Sequence, residues 1–166
     1  MGVAWFDSAP GLMQTAANRT TLALVGCGST KREQLAPASD LYTSTYFAKK
    51  RAYAETYADE WRILSAEHGL VHPDAVHEPY DASLNSRLDA YIGDDAVSVW
   101  AESVSHDLTS LLDGVDEIVI LAGRDYSDPL ADYLATAPPT VRYPFEGLGG
   151  LPGQMKWLTD KLETNC

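Results

Sequence analysis

Short apolar runs, each ended by glycine or polar residues, recur along the chain. The first covers residues 22–25 and stops at Gly26, and because it is too short for a helix it predicts a buried strand. Residues 61–66 and 117–122 form similar runs and predict two further strands, and residues 139–143 predict a shorter fourth. The pattern therefore indicates several short strands separated by other elements.

Between these runs, apolar residues recur at the spacing of helices. The clearest such segment begins at Asp94, which we expect to cap it, and carries Val97, Trp100 and Val104 on one face. The predicted helices run from the cap residue Ser44 to about Tyr57, over residues 84–92, from Asp94 to about residue 111, over residues 129–135, and from the end of a flexible loop at 147–153 towards the C-terminus. Residues 33–40 predict a loop.

Strands that alternate with helices predict an α/β protein. We expect residues 21–166 to form one three-layer α/β/α domain with a mostly parallel sheet of about four or more strands. Residues 1–20 show no periodicity and predict an N-terminal arm, either anchored to the core or flexible.

The composition indicates the kind of protein and its expected cellular compartment. The 45% hydrophobic content favours a folded domain, and no apolar stretch reaches the roughly 20 residues that a membrane span needs. No basic segment followed by an apolar core opens the chain, so we expect a cytoplasmic protein without a membrane partner. Cys27 and Cys166 are the only cysteines, and their positions, one in the opening loop and one at the last residue, argue against a structural disulfide.

The formal charge of −12 is large for 166 residues. It argues against sequence-independent DNA binding through a whole basic face, and it predicts either adaptation to high salt or an acidic surface that meets a cationic partner. Five of the twelve basic residues nevertheless fall within one short window, which predicts a local positive patch or a solvated helix face. These five residues are Lys31, Arg32, Lys49, Lys50 and Arg51.

Polar side chains follow each predicted strand. Because ligands of parallel sheets bind beyond the carboxyl ends of the strands, these residues predict one shared cleft. The candidate binding residues after the strands are Gly26, Gly28, Ser29, Thr30, Ser65, Arg124, Tyr126 and Glu146, joined by Tyr80 from the long loop after the second strand.

Four residues are candidates for catalysis. Cys27 is either a nucleophile or a small buried residue, and Lys31 follows a glycine-rich turn where it can bind a phosphate or a carbonyl oxygen. His68 is either a general acid–base group or a turn residue. Asp81 either bonds the polar edge of a base on which Tyr80 stacks, or caps the helix predicted at 84–92.

No metal or other cofactor is predicted. The spacing of His68 and His72 invites a metal site, but Gly69 and Pro73 argue against a helical histidine pair and no cysteine cluster completes a ligand set.

The motifs together resemble a widespread prokaryotic and viral domain family without an assigned activity, over about residues 20–162. The family pattern is C-S-x-x-K, L-Y-x-S-x-x-F, S-A-x-x-G-L and P-Y-D. Here the matching segments are C-G-S-T-K from Cys27, L-Y-T-S-T-Y-F from Leu41, S-A-E-H-G-L from Ser65 and P-Y-D from Pro79, with Gly28 where serine is usual.

At greater distance the chain is similar to the peroxide-stress protein YaaA and to the catalytic domain of archaeosine synthase. Cys27 and Lys31 match the cysteine and lysine of the latter's P-C-x-x-x-K-P-Y motif, while Arg32 and Glu33 replace its Pro-Tyr.

These resemblances imply a nucleotide, nucleobase or nucleic-acid partner. Two functions stay open: an enzyme that acts on a nucleobase, or a non-catalytic DNA- or RNA-binding protein of YaaA type that uses Lys49, Lys50 and Arg51 beside the cleft. The substrate, the reaction and the oligomeric state stay open as well.

Overall fold

The computed structural model describes residues 20–27, 31, 34–78 and 80–164. The elements within these ranges are β1 (Thr21–Gly26), β2 (Ala36–Pro37), α1 (Ala38–Leu41), α2 (Thr45–Tyr57), β3 (Glu60–Ser65), β4 (Gly69–Val71), β5 (Val76–His77), α3 (Asp94–Leu111), β6 (Glu117–Leu121), α4 (Arg124–Ser127), a 3₁₀ turn (Asp128–Leu130), α5 (Ala131–Thr136), β7 (Thr140–Arg142) and α6 (Leu151–Thr164). The predicted arm lies outside the described residues, apart from Thr20.

A five-stranded sheet in the order β4-β3-β1-β6-β7 organises the fold. β1 lies at its centre and pairs in parallel with both β3 and β6, and β7 pairs in parallel with β6. Only β4 runs antiparallel, beside β3. The predicted α/β class with a mostly parallel sheet is confirmed.

The central strand packs on both of its faces. Leu22 and Leu24 belong to one apolar cluster and Ala23 and Val25 to another, because successive side chains of a strand point to opposite faces. Such strands read as continuous apolar runs, as residues 22–25 do. Residues of α2 and α6 join the cluster of Ala23, and residues of α3 and α5 join the cluster of Leu22.

The helix predicted from Ser44 is confirmed. The Ser44 hydroxyl accepts a hydrogen bond from the backbone N–H of Phe47 at 3.0 Å and so caps α2. α3 also begins at Asp94 as predicted, although Gly93, with φ at 99°, rather than Asp94 occupies the cap position.

The prediction of a helix over residues 84–92 is wrong. This segment consists of turns and bends, in which the side chains of Ser83 and Asn85 accept the N–H groups of Asn85 and Arg87 at 3.0 Å. Serine and asparagine compete in this way with helical hydrogen bonds.

Several other elements begin or end at residues different from those predicted. The predicted loop at 33–40 includes β2 and α1, the polar turn after β3 continues into the antiparallel strand β4, and α6 begins at Leu151 within the predicted loop at 147–153. The helix predicted at 129–135 starts as a 3₁₀ turn. None of the described helices is long and apolar enough to cross a membrane.

Candidate functional site

Cys27 lies where the end of β1 meets the turn after β6. Its backbone N–H donates to the carbonyl of Leu64 at 3.0 Å, which extends the pairing of β1 with β3 by one residue beyond Gly26. Its half-buried Sγ lies 3.0 Å from the hydroxyl of Tyr126, which belongs to α4. The sheet therefore brings together two residues that the sequence places 99 positions apart.

A second group of hydroxyls lies at the end of β3. The buried Ser65 Oγ donates to the Tyr80 hydroxyl at 2.8 Å and accepts the N–H groups of Glu67 and His68 at 3.3 and 3.1 Å. The Tyr80 hydroxyl is also hydrogen-bonded to that of Tyr42 at 2.6 Å. Ser65 and Tyr80, both predicted site residues, are thus in direct contact.

Tyr42 was not predicted, although it belongs to the L-Y-T-S-T-Y-F segment that carries the family resemblance. Burial raises its pKa to about 12, and the nearby Cys27 thiol adds to this shift when it is ionised. Burial and the same thiol also raise the pKa values of Tyr80 and Tyr126. All three phenols therefore stay protonated at neutral pH and can donate hydrogen bonds.

Lys31 lies against this tyrosine group. Its Nζ is 4.4 Å from the ring centroid of Tyr80 and 5.8 Å from that of Tyr42, and its backbone forms a β-bridge with Tyr42. The chain thus places Lys31 with the two tyrosines whose pKa values an ionised Cys27 raises. The predicted Gly28, Ser29 and Thr30 lie outside the described residues.

The predicted basic patch requires a correction at Lys50. This residue is only 2% exposed, and its Nζ donates to the carbonyl of Gly26 at 2.8 Å and lies 4.1 Å from the ring centroid of Tyr46. Burial lowers the pKa of Lys50 to about 8, against an opposing effect of the Cys27 charge. Lys50 therefore belongs to the interior beside the end of β1 and cannot form part of a solvated face.

Its neighbours on α2 do not form one free basic surface either. Arg51 pairs with Asp40 at 3.1 Å and with Glu55 at 3.2 Å, while Lys49 is half-buried. A signal for Lys50 was present in the sequence, because it lies three residues after Phe47 and three before Tyr53, on the apolar stripe of the helix.

The predicted site residues His68 and Asp81 are both exposed to solvent. The exposed His68 ring stacks on that of His77 at 4.0 Å and meets the Tyr80 ring edge-on at 5.3 Å. Burial, followed by the charge of His68, lowers the pKa of His77. Asp81 is exposed, and because residues 84–92 are not helical its alternative role as a helix cap is wrong.

The described residues contain no group of three or more histidine, cysteine, aspartate or glutamate side chains that could hold a metal ion. His72 is instead part of a local turn, in which its Nδ1 accepts the N–H of Asp74 at 3.0 Å.

A cavity of about 480 Å³ opens at the carboxyl end of β6. Its walls include the predicted residues Arg124 and Glu146, together with Ala122 and Gln154. The Gln154 side chain accepts a hydrogen bond from the Tyr46 hydroxyl, and the Nζ of Lys50 lies over the Tyr46 ring. The volume is in the range of small-molecule sites, and the described residues that line this cavity do not include Cys27.

Two curated proteins are similar to the chain. The uncharacterized protein YfjM of Bacillus subtilis (strain 168) is 30% identical over 117 residues, which cover 66% of this chain and 73% of that protein. A UPF0246 protein of Janthinobacterium sp. (strain Marseille) is 28% identical over 116 residues, again 66% of this chain but only 44% of that protein. The predicted similarity to YaaA-type proteins is confirmed.

Among solved structures, the crystal structure of AF0587, a protein of unknown function, matches with a TM-score of 0.49 and 16% identity, over 88% of this chain and 45% of that one. The family described as a family of unknown function, DUF6884, matches residues 22–160. Because this match spans the sheet, the tyrosine group and Cys27, the chain belongs to the DUF6884 family.

Proposed function

We propose that the protein is an enzyme that acts on a nucleobase, either free or within a nucleotide or nucleic acid, with Cys27 as its nucleophile. The observation that carries the proposal is the position of the half-buried Cys27 Sγ, 3.0 Å from the Tyr126 hydroxyl. Thiols become nucleophiles where a nearby cation and hydrogen-bond donors favour the thiolate, and Lys50 and Tyr126 supply these two features.

The surroundings of Cys27 suit a planar, polar ligand. The half-buried Tyr80 ring and the exposed His68 ring can contact a base, and the protonated Tyr80 and Tyr126 hydroxyls can donate to its carbonyl or ring nitrogen atoms. Lys31 adds a cation beside the same rings. The cavity lined by Arg124 and Glu146 has the volume of a small-molecule site, and Arg124 is a group that can bind a phosphate.

The proposed chemical step is an addition to the base. The Cys27 thiolate forms a bond to an electrophilic ring carbon, the adjacent carbon–carbon or carbon–nitrogen π bond breaks, and the neighbouring ring atom takes up a proton. Water supplies this proton, while the Tyr126 hydroxyl stays protonated and donates a hydrogen bond.

Intact-protein mass spectrometry with a panel of free nucleobases, nucleosides and nucleoside monophosphates tests the proposal. We expect a compound of this panel to stabilise the protein thermally and to give an adduct that maps to Cys27. The Cys27→Ser variant should lose the adduct but keep the thermal stabilisation, whereas the Cys166→Ser control should keep both.

An adduct that forms equally in Cys27→Ser would exclude Cys27 as the nucleophile, and absence of binding across the panel would exclude a nucleobase as the ligand. Nucleic-acid binding of YaaA type without catalysis is a separate outcome, recognised by an affinity for DNA or RNA that falls steeply with salt. The burial of Lys50 and the ion pairs of Arg51 argue against it.

A further inference from the structure

One stretch of the chain carries almost all of the negative charge. Residues 63–123 contain twelve of the 24 acidic residues but only one of the twelve basic residues, Arg87. Twelve carboxylates against one guanidinium give this stretch a formal charge of −11, out of −12 for the whole protein. The stretch includes α3, which contains no lysine or arginine. The negative charge is therefore concentrated in one part of the sequence rather than spread evenly along it.

A groove of about 330 Å³ lies along the first half of α3. Its apolar walls are formed by Ile92, Ala96, Val99 and the buried Trp100, and residues 66–69 of the turn after β3 complete it. Val99 is 64% exposed, the largest exposed fraction among the large apolar side chains of the described residues. A partner that covers the groove would remove this apolar surface from water, which favours association.

Carboxylates surround Val99. Asp95 lies four residues before it and Glu102 three residues after it on α3, so both occupy neighbouring positions on the helix surface. Glu67 is part of the groove itself. All three carboxylates are exposed, and none of them takes part in an ion pair within the part of the chain that the structure describes. The groove thus has an apolar centre and a negatively charged rim.

We propose that this groove is a docking surface for a basic, partly apolar peptide segment of another protein. An apolar side chain of the segment packs on Val99, while its lysine or arginine side chains meet the three carboxylates. The apolar contact contributes affinity, and the charges select the partner and accelerate the encounter. Because His68 also lines the groove, the docked segment would lie beside the candidate site. The proposal does not depend on the proposed nucleobase chemistry.

The charge of the groove argues against other occupants. Nucleic acids and anionic membranes are negatively charged, so the carboxylates repel them. A second copy of this chain carries a charge of −12 itself, and in its basic window Lys50 is buried and Arg51 is paired with carboxylates. A basic segment of a different protein is the occupant that both the apolar centre and the negative rim favour.

Fluorescence anisotropy with synthetic peptides tests the proposal at neutral pH and about 0.15 M sodium chloride. The probe is a labelled library of short peptides in which leucine or phenylalanine is flanked by lysine and arginine. A matched library carries serine in place of the apolar residue. We expect members of the first library to bind with a Kd of about 1–100 μM, and their serine counterparts to bind about tenfold more weakly.

Two variants at exposed positions locate the binding. Val99→Ser removes the apolar contact, and Asp95→Asn combined with Glu102→Gln removes two charges at nearly constant shape; each should weaken binding about tenfold. The charge variant should also bind with a smaller dependence on salt. The control, Asp113→Asn combined with Asp132→Asn, removes the same charge from exposed positions outside the groove and should bind within about twofold of the parent.

Absence of binding across the first library would overturn the proposal, and so would parent-like affinity in a folded Val99→Ser variant. Equal binding of the serine library, or an equal loss in the control variant, would show that net charge rather than the groove attracts the peptides. Circular dichroism confirms that each variant folds, and the comparison of the two libraries on the parent needs no variant. Because no nucleobase is used, these results are independent of the proposed function.

Discussion

Lys50 and Ser65 are the polar side chains that the described residues bury almost completely, at 2% and 0% exposure. Ser65 is satisfied by neutral hydrogen bonds to Tyr80 and to two backbone N–H groups. Lys50 instead brings a charge into the interior, and its pKa falls to about 8 because burial penalises the protonated form. A group whose pKa differs between the folded and unfolded states makes stability depend on pH.

The unfolded chain keeps Lys50 protonated up to its ordinary pKa of 10.5, whereas the folded protein releases this proton near pH 8. The unfolded state thus binds more protons between these values, and the free energy of unfolding rises with pH there. A difference of one bound proton changes the free energy of unfolding by about 1.4 kcal/mol per pH unit. Between pH 7.5 and pH 9.5 we therefore expect the free energy of unfolding, measured by urea titration, to rise by roughly 2 kcal/mol more in the parent than in Lys50→Met.

In Lys49→Met the free energy of unfolding should rise with pH as much as in the parent, because Lys49 is only half-buried. Equal pH slopes for the parent and Lys50→Met would contradict the prediction. The comparison ends below pH 10, since the raised pKa values of Tyr42 and Tyr126 lower stability once unfolded tyrosines ionise.

At the scale of elements, α6 connects the cavity to the rest of the fold. Its first turn contains Gly153, and a Cβ atom there would collide with the backbone carbonyl of Leu148. Gln154, the next residue, lines the cavity and bonds Tyr46 of α2. The close approach of the loop to the helix thus requires a glycine and sets the position of Gln154.

Gly153→Ala should therefore destabilise the protein. Alanine favours a helix by about 1 kcal/mol over glycine, but overpacking against a carbonyl costs about 1–3 kcal/mol and displaces the first turn of α6. Urea denaturation measures the difference. Gly150→Ala is the matched control, because its Cβ would lie at an ordinary 3.8 Å from Pro152; equal stability of the two variants would show that the loop adjusts freely.

At the scale of the whole molecule, the charge of −12 dominates. The ion pair Lys156–Asp160 involves exposed side chains, and such pairs contribute little to stability. Most carboxylates therefore repel one another across the surface, which disfavours the compact state at low ionic strength.

We expect the free energy of unfolding to rise as sodium chloride is raised from about 0.1 M to about 1 M, because the Debye length falls from about 10 Å to about 3 Å. The exposed Asp113 and Asp132 offer a control: replacing both with asparagine should reduce the salt response. A free energy of unfolding that falls with added salt would mean that attractive pairs outweigh the repulsion. This test also bears on the predicted adaptation to high salt.

The parts of the fold that follow local rules were predictable from the sequence. β1, β3, β6 and the capped α2 follow from short apolar runs and from Ser44, whose local preferences agree with the tertiary structure. The short strand β4 and the break at 84–92 were not predictable, because the first depends on pairing with β3 and the second on side-chain bonds of Ser83 and Asn85.

The candidate site divides in the same way. Cys27, Ser65 and Tyr126 were predicted together because the carboxyl ends of parallel strands meet at one edge of a sheet. Tyr42 was not predicted, and Lys50 was assigned to a basic patch instead, since both lie on helices or turns that only chain crossovers bring to that edge. The predicted roles of His68, Asp81, Arg124 and Glu146 remain predictions.

The sequence by itself determined the α/β class, the family, and the residues that end each strand, because alternating apolar runs and motif spacing are local properties of the chain. Only the tertiary structure decided that Lys50 is interior and lies beside the end of β1. The physical reason is that burial depends on what packs against a helix face, and Lys50 of α2 is buried only because α2 packs against β1, where the Gly26 carbonyl accepts its hydrogen bond.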